Sequence, residues 1–164
     1  MDIDTGTIRR LRDALIKGGR LSESVASTSV TDARHQAAVE RVSPLVEVMY
    51  LMMVIDGDIG DDERTAIQGA IKMLTDGMIA GSELDQLLDG FSGLVEQQGV
   101  EGRLQAIGNR ICRDRLDRET AFTLAAAVAV ADGKVVEEET LLVNSIAEWF
   151  GISSQRCKEI LRVF

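Results

Sequence analysis

Residues 45–74 read LVEVMYLMMVIDGDIGDDERTAIQGAIKML, and residues 121–150 read AFTLAAAVAVADGKVVEEETLLVNSIAEWF. Each stretch opens on an apolar run, passes through an Asp-Gly turn and a cluster of acids, and closes on a second apolar pattern. Asp56 and Asp132 stand 76 residues apart, as do Glu63 and Glu139, Val54 and Val130, Ile67 and Val143, and Leu74 and Phe150. After Glu63 the apolar residues fall at Ala66, Ile67, Ala70 and Leu74; after Glu139 they fall at Leu142, Val143, Ile146 and Phe150. That spacing traces one face of an α-helix, so each stretch reads as a buried helix, an acidic turn and an amphipathic helix. A further helix follows each, begun by Ser82 and by Ser153.

The rest of the chain agrees with an all-α fold. Apolar residues make up 45% of it but aromatics only 4%, and there is a single proline, a mix that favours helices over sheet. At 164 residues one core is expected, in a single-domain bundle of about seven to eight helices built from two pseudo-symmetric halves. Residues 1–31 read as an N-terminal helix, Thr5–Lys17, followed by a Ser/Gly-rich linker that would make the helix a loosely attached arm. Thr5 or Thr7 is its expected cap. Residues 32–164 form the main domain, its halves spanning about 40–98 and 116–164. Pro44 is expected to break the first long helix, with Ser43 capping a second one. Glycines 57, 77, 81, 99, 133 and 151 punctuate the remaining joints.

The net charge of −9 argues against binding to a phosphate backbone, so no nucleic-acid partner is expected. Neither a secretory signal nor a span of about 20 apolar residues is visible, so a cytoplasmic protein that does not itself cross the bilayer is expected. His35 is the only histidine, and Cys112 and Cys157 read as buried free thiols, so the usual Cys/His zinc site is excluded. No nucleophile signature or phosphate loop appears, and no catalysis is expected.

The repeated pattern Asp-Gly-x-(Ile/Val)-x-x-x-Glu coincides with the second half of an EF-hand loop, where the Asp and the final Glu bind Ca²⁺ and an intervening residue offers a carbonyl. By that analogy the ligands are Asp56, Glu63 and the carbonyl of Asp58, with Asp132, Glu139 and the carbonyl of Lys134 in the second copy. The earlier EF-hand positions fall on Met52, Val54, Val128 and Val130, which cannot coordinate through their side chains, so this is not an EF-hand. Two motifs brought together would supply four carboxylates, enough for Ca²⁺, Mg²⁺ or Mn²⁺ with water completing the shell. The alternative is that the acids only cap helices. Glu63 and Glu139 stand where a capping box places its acid, although Gly60 and Val136 have no hydroxyl to return the bond.

The segments MMVIDGDIGDDERTAIQGAIKML and AVADGKVVEEETLLVNSIAEWFGIS resemble the two signature segments of the tellurite-resistance TerB family, and those of a J-domain co-chaperone with a TerB-like region. The resemblance covers roughly residues 32–164 and leaves the N-terminal arm aside. It implies a compact helical bundle that binds a divalent cation through Asp56, Glu63, Asp132 and Glu139. It also implies a place in bacterial stress responses and a protein partner in membrane-linked complexes. The family often has Ser where this chain has Gly60 and Val136. The leading expectation is therefore a non-catalytic, cation-binding interaction module; the alternative is a metal-independent helical scaffold with an acidic docking face.

Overall fold

The computed structural model describes residues 3–21, 31–55, 60–131 and 137–162. Among them lie seven helices and no strand: α1 (Thr5–Lys17), α2 (Thr31–Val54), α3 (Asp61–Leu74), α4 (Gly81–Ile111), α5 (Arg115–Ala131), α6 (Glu137–Trp149) and α7 (Ser154–Leu161). The all-α expectation holds, and α4 contains the interruption read at Gly99, whose φ of 71° and ψ of 164° suit only a residue without a Cβ.

α2 is the central element. From Val42 to Met53 every residue except the half-buried Ser43 is buried, as its run of apolar side chains requires. Pro44 does not break it, and Ser43 caps no second helix. Proline at this position removes the amide that would bond the Glu40 carbonyl, four residues back. Arg110 Nη2 donates to that oxygen at 2.5 Å instead, so the open acceptor is met from α4. One further polar group on α2 needs a partner: Glu47 is 3% exposed. Arg103 supplies it through two parallel bonds, Nε to Oε1 at 2.6 Å and Nη2 to Oε2 at 3.0 Å, and Gln98 accepts from its Nη1 at 3.1 Å.

These contacts fix directions. Arg103 meets Glu47 and Arg110 meets Glu40, so the part of α4 after Gly99 runs antiparallel to α2. The part before Gly99 leaves from the start of α2, where His35 meets Glu83, and reaches Tyr50, whose ring lies 5.9 Å from that of Phe91. Gly99 therefore reverses the chain inside α4. A three-residue link then starts α5, which packs along α2 in the same direction.

The N-terminal helix is part of the core rather than a loose arm. Ile8 and Leu15 are buried, and the helix packs on α3 and α5. Its cap is Asp4, not a threonine: the Asp4 carboxylate accepts from the amides of Gly6 and Thr7 at 3.1 and 2.9 Å. At its other end Arg20 bonds the Gly18 carbonyl and pairs with Asp114 and Asp117 at the start of α5. The linker at 22–30 lies outside the described residues.

Close approach of α4 to the end of α6 depends on Gly108, where a Cβ would stand 2.7 Å from the Trp149 carbonyl oxygen. Gly108→Ala should lower stability by about 1–3 kcal/mol in urea unfolding. Gly69→Ala, where a Cβ meets nothing, should be neutral or stabilising by up to about 1 kcal/mol. Glu47→Ala leaves a half-buried guanidinium unpaired and should cost about 2 kcal/mol, whereas replacing Glu47 and Arg103 together by leucine should restore most of that loss.

Candidate functional site

In sequence the two acidic segments stand between α2 and α3 and between α5 and α6, and the bundle's directions decide where the helix ends that flank them fall. One end of the molecule gathers Gly19 with Arg41 of α2, Gly18 beneath Leu116 of α5, and Gly108 of α4 against Trp149 of α6. The beginning of α5, the end of α6 and the end of α1 meet there. α2 and α5 both run away from this end. Val54 and Ala131, where they stop, and Asp61 and Glu137, where α3 and α6 begin, accordingly lie toward the opposite end.

Asp56, Asp58, Asp132 and Lys134 lie outside the described residues, as does the side chain of Glu139. Of the expected ligands only Glu63 has a described side chain. It stands at the third position of α3, half-buried, and its Oε2 accepts from the Gly60 amide at 3.0 Å. One of the two bonds of a capping box is thus present, while Gly60 has no side chain to make the other. Asp61 and Asp62 beside it are exposed; of the expected stripe Ile67, Ala70 and Leu74 are buried, while Ala66 is half-buried. The Glu63 Oε1 takes no hydrogen bond among the described residues, so the carboxylate can cap α3 and still offer an oxygen to an ion. An all-oxygen donor set is what a hard divalent cation takes. Among the described residues, no group of three His, Cys, Asp or Glu side chains is arranged to hold a metal.

The local charges favour a cation at this end. Neither α2 nor α5 has a basic residue in its last turn, so the negative ends of both helix dipoles lack a counter-charge from their own last turns. α3 opens on Asp61, Asp62 and Glu63. Lys134 is the only basic residue between Thr123 and Glu148.

The opposite end carries the arginines. Asp114 accepts from the Asp117 amide at 3.2 Å and from Arg20; these bonds hold its carboxyl below the usual range. Asp117 is pushed up, mainly by burial and against the pull of Arg20. Glu119 is held low by Arg156 from α7 first, with Arg115 adding to it, at 2.7 and 2.6 Å. Arg118 donates to the carbonyls of Phe150 and Gly151, closing the end of α6.

Two elements escape a reading of the sequence. Glu47 leaves a signal, since it is the one charge in an otherwise uncharged run of eleven residues, 45–55. The Arg118–Glu119–Arg156 group leaves none, because Arg156 comes from α7, 37 residues beyond Glu119 of α5. Cys157 is buried as expected, its thiol pushed up by desolvation, but Cys112 is exposed. Met49, Met52 and Met53 are core residues. Among the described residues no helix is long and apolar enough to cross a membrane.

A family model described as Tellurite resistance protein TerB matches residues 43–162, well over half of the chain. It begins inside α2 and leaves out α1, although α1 contributes to the same core. No curated protein and no solved structure matches.

Acid should loosen the arginine end. A carboxylate whose folded pKa is depressed contributes stability that is complete above its unfolded value, 4.5 for Glu119, and is lost as pH falls through the lower folded value. Asp117, being raised, changes in the opposite sense over the same range. Thermal midpoints followed downward from pH 6 should fall less steeply in Glu119→Gln than in wild type.

Proposed function

The chain belongs to the TerB family, and we propose that it serves there as a divalent-cation-binding interaction module without catalytic activity. The observation that carries this reading is the common direction of α2 and α5, which brings the ends of both helix pairs to one side of the bundle. In the sequence each copy of Asp-Gly-x-(Ile/Val)-x-x-x-Glu follows one of these helix ends, whose uncompensated C-termini, with the acidic first turn of α3, support a reading in which positive charge is received there. Asp56, Glu63, Asp132 and Glu139 would supply the carboxylates, and Asp58 and Lys134 the carbonyl oxygens. Ca²⁺ is the expected ion, with Mg²⁺ or Mn²⁺ as substitutes.

A bound cation offsets the repulsion among the acids and ties one half of the chain to the other. It would fix the angle between two halves related by an approximate two-fold axis, and so shape the surface shown to a protein partner. The setting is a tellurite-resistance-like stress response in the cytoplasm, with a partner in a membrane-linked complex.

The bond from the Gly60 amide to Glu63 favours a second reading, in which the acids are caps and the chain is a metal-independent scaffold with an acidic docking face. The two separate cleanly. Titration calorimetry with Ca²⁺, Mg²⁺ and Mn²⁺ up to millimolar concentration should show saturable binding by wild type that vanishes in Asp132→Ala/Glu139→Ala. A flat titration in wild type, with Glu63→Ala losing only about 1 kcal/mol of stability as a lost cap would, establishes the scaffold instead.

A further inference from the structure

At the end of the bundle away from the starts of α3 and α6, α5, the α6–α7 turn and the start of α7 enclose a cleft of about 450 Å³. Arg115, Arg118 and Arg156 line it, together with Glu119, Glu159 and Ser153. From this surplus of guanidinium groups we infer that the cleft binds a small oxyanion of the phosphate class, either the free ion or the phosphoryl group of a small ester.

The charges around the cleft do not cancel. Glu119 is already bonded by Arg115 Nε at 2.6 Å and Arg156 Nη2 at 2.7 Å, and Glu159 by Arg156 Nη1 at 2.9 Å. Two carboxylates are thus met by two arginines, and Arg118 remains. Its bonded acceptors are neutral carbonyls, Phe150 at 3.3 Å and Gly151 at 3.0 Å, and among the described residues it makes no ion pair. Those bonds cover the carbonyl oxygens at the end of α6, which would otherwise repel an anion.

The guanidinium of Arg118 is also partly withdrawn from water. Its Nε, like that of Arg156, is sealed from solvent without an acceptor. A cation that has lost hydration and gained no counter-charge is costly, and an anion in the cleft would relieve that cost. The donors left for it are the terminal nitrogens of Arg115, whose Nε alone is engaged, and Arg118 Nη2. Their planar forks match the oxygens of a tetrahedral anion. α7 starts at the cleft with Ser153 as its cap, so its dipole adds to the attraction. On a chain of net charge −9, an anion reaches this place because of these local groups and in spite of the overall field.

The test is a titration of the full chain with inorganic phosphate, followed by amide chemical shifts, against sodium chloride at equal ionic strength. Saturable shifts confined to residues 115–119 and 151–156 are expected, absent with chloride. Arg115→Gln should weaken binding by at least about tenfold, and Arg118→Gln should do the same. Arg118 also closes α6, so Arg115→Gln, an exposed position bonded only to Glu119, decides the matter if the other variant does not fold. Glycerol phosphate tested alongside separates the sources: tighter binding than phosphate assigns the ester, and equal or weaker binding the free ion. Shifts that chloride reproduces, or an Arg115→Gln variant that binds as wild type does, would overturn the assignment. Neither result depends on whether a divalent cation binds at the other end.

Discussion

The buried stretch of α2, Val42 to Met53, must have its polar groups satisfied by its neighbours, and Glu47 within it and the Glu40 carbonyl just before it set the register of the bundle. Glu47 and the carbonyl of Glu40 lie seven residues apart, two helical turns, and α4 presents Arg103 and Arg110 at the same separation. Matching both pairs at once requires antiparallel helices in one register. A hydrophobic face alone would tolerate sliding by a turn, whereas a buried carboxylate displaced from its guanidinium would be left uncompensated in a low-dielectric interior. The reversal at Gly99 is a consequence, because the chain before it leaves from the beginning of α2 and must turn back to present those arginines.

With that register set, the placement of the duplicated segments has little freedom left. α5 starts where α4 ends, beside the tail of α1 and close to Arg41, and packs along α2. α3 and α6 return toward the starting end. The ends of α2 and α5 and the starts of α3 and α6 thus fall on one side, because α4 reverses once and returns the chain to the starting end before α5 begins.

Much of this is legible in the sequence, for definite reasons. Helix boundaries come from apolar spacing and from glycine, and the break at Gly99 falls where the pattern puts it. Pro44 misleads because its cost depends on a residue 66 positions away: Arg110 satisfies the carbonyl that the proline leaves open, and local pattern contains no trace of it. The looseness expected of α1 fails similarly, since a Ser/Gly-rich linker says nothing of Ile8 and Leu15 before it, which are buried where the helix packs on α3 and α5. For the candidate site the sequence remains the fuller source. Spacing pairs each Asp with its Glu, and coordinates add the direction of the helices and the cap that Glu63 makes.

The distribution of basic residues ties the two ends together. Arg20 and Arg41 bond the Gly18 and Gly19 carbonyls beyond α1, Arg110 bonds the one left by Pro44, and Arg118 bonds two beyond α6. Carbonyl oxygens without an amide partner, at helix ends or four residues before a proline, carry partial negative charge, and arginine can reach them while its charged head stays near water. Four arginines are thereby committed to one end of an acidic chain. At the other end α2 and α5 stop without a basic residue in their last turns, and α3 begins on three acids. Compensating one set of helix termini from side chains while leaving the other bare polarises the bundle along its length. The arginines that would neutralise the start of α3 and the ends of α2 and α5 are engaged by carbonyl oxygens elsewhere, so the acids of α3 are met by few cations of the chain's own.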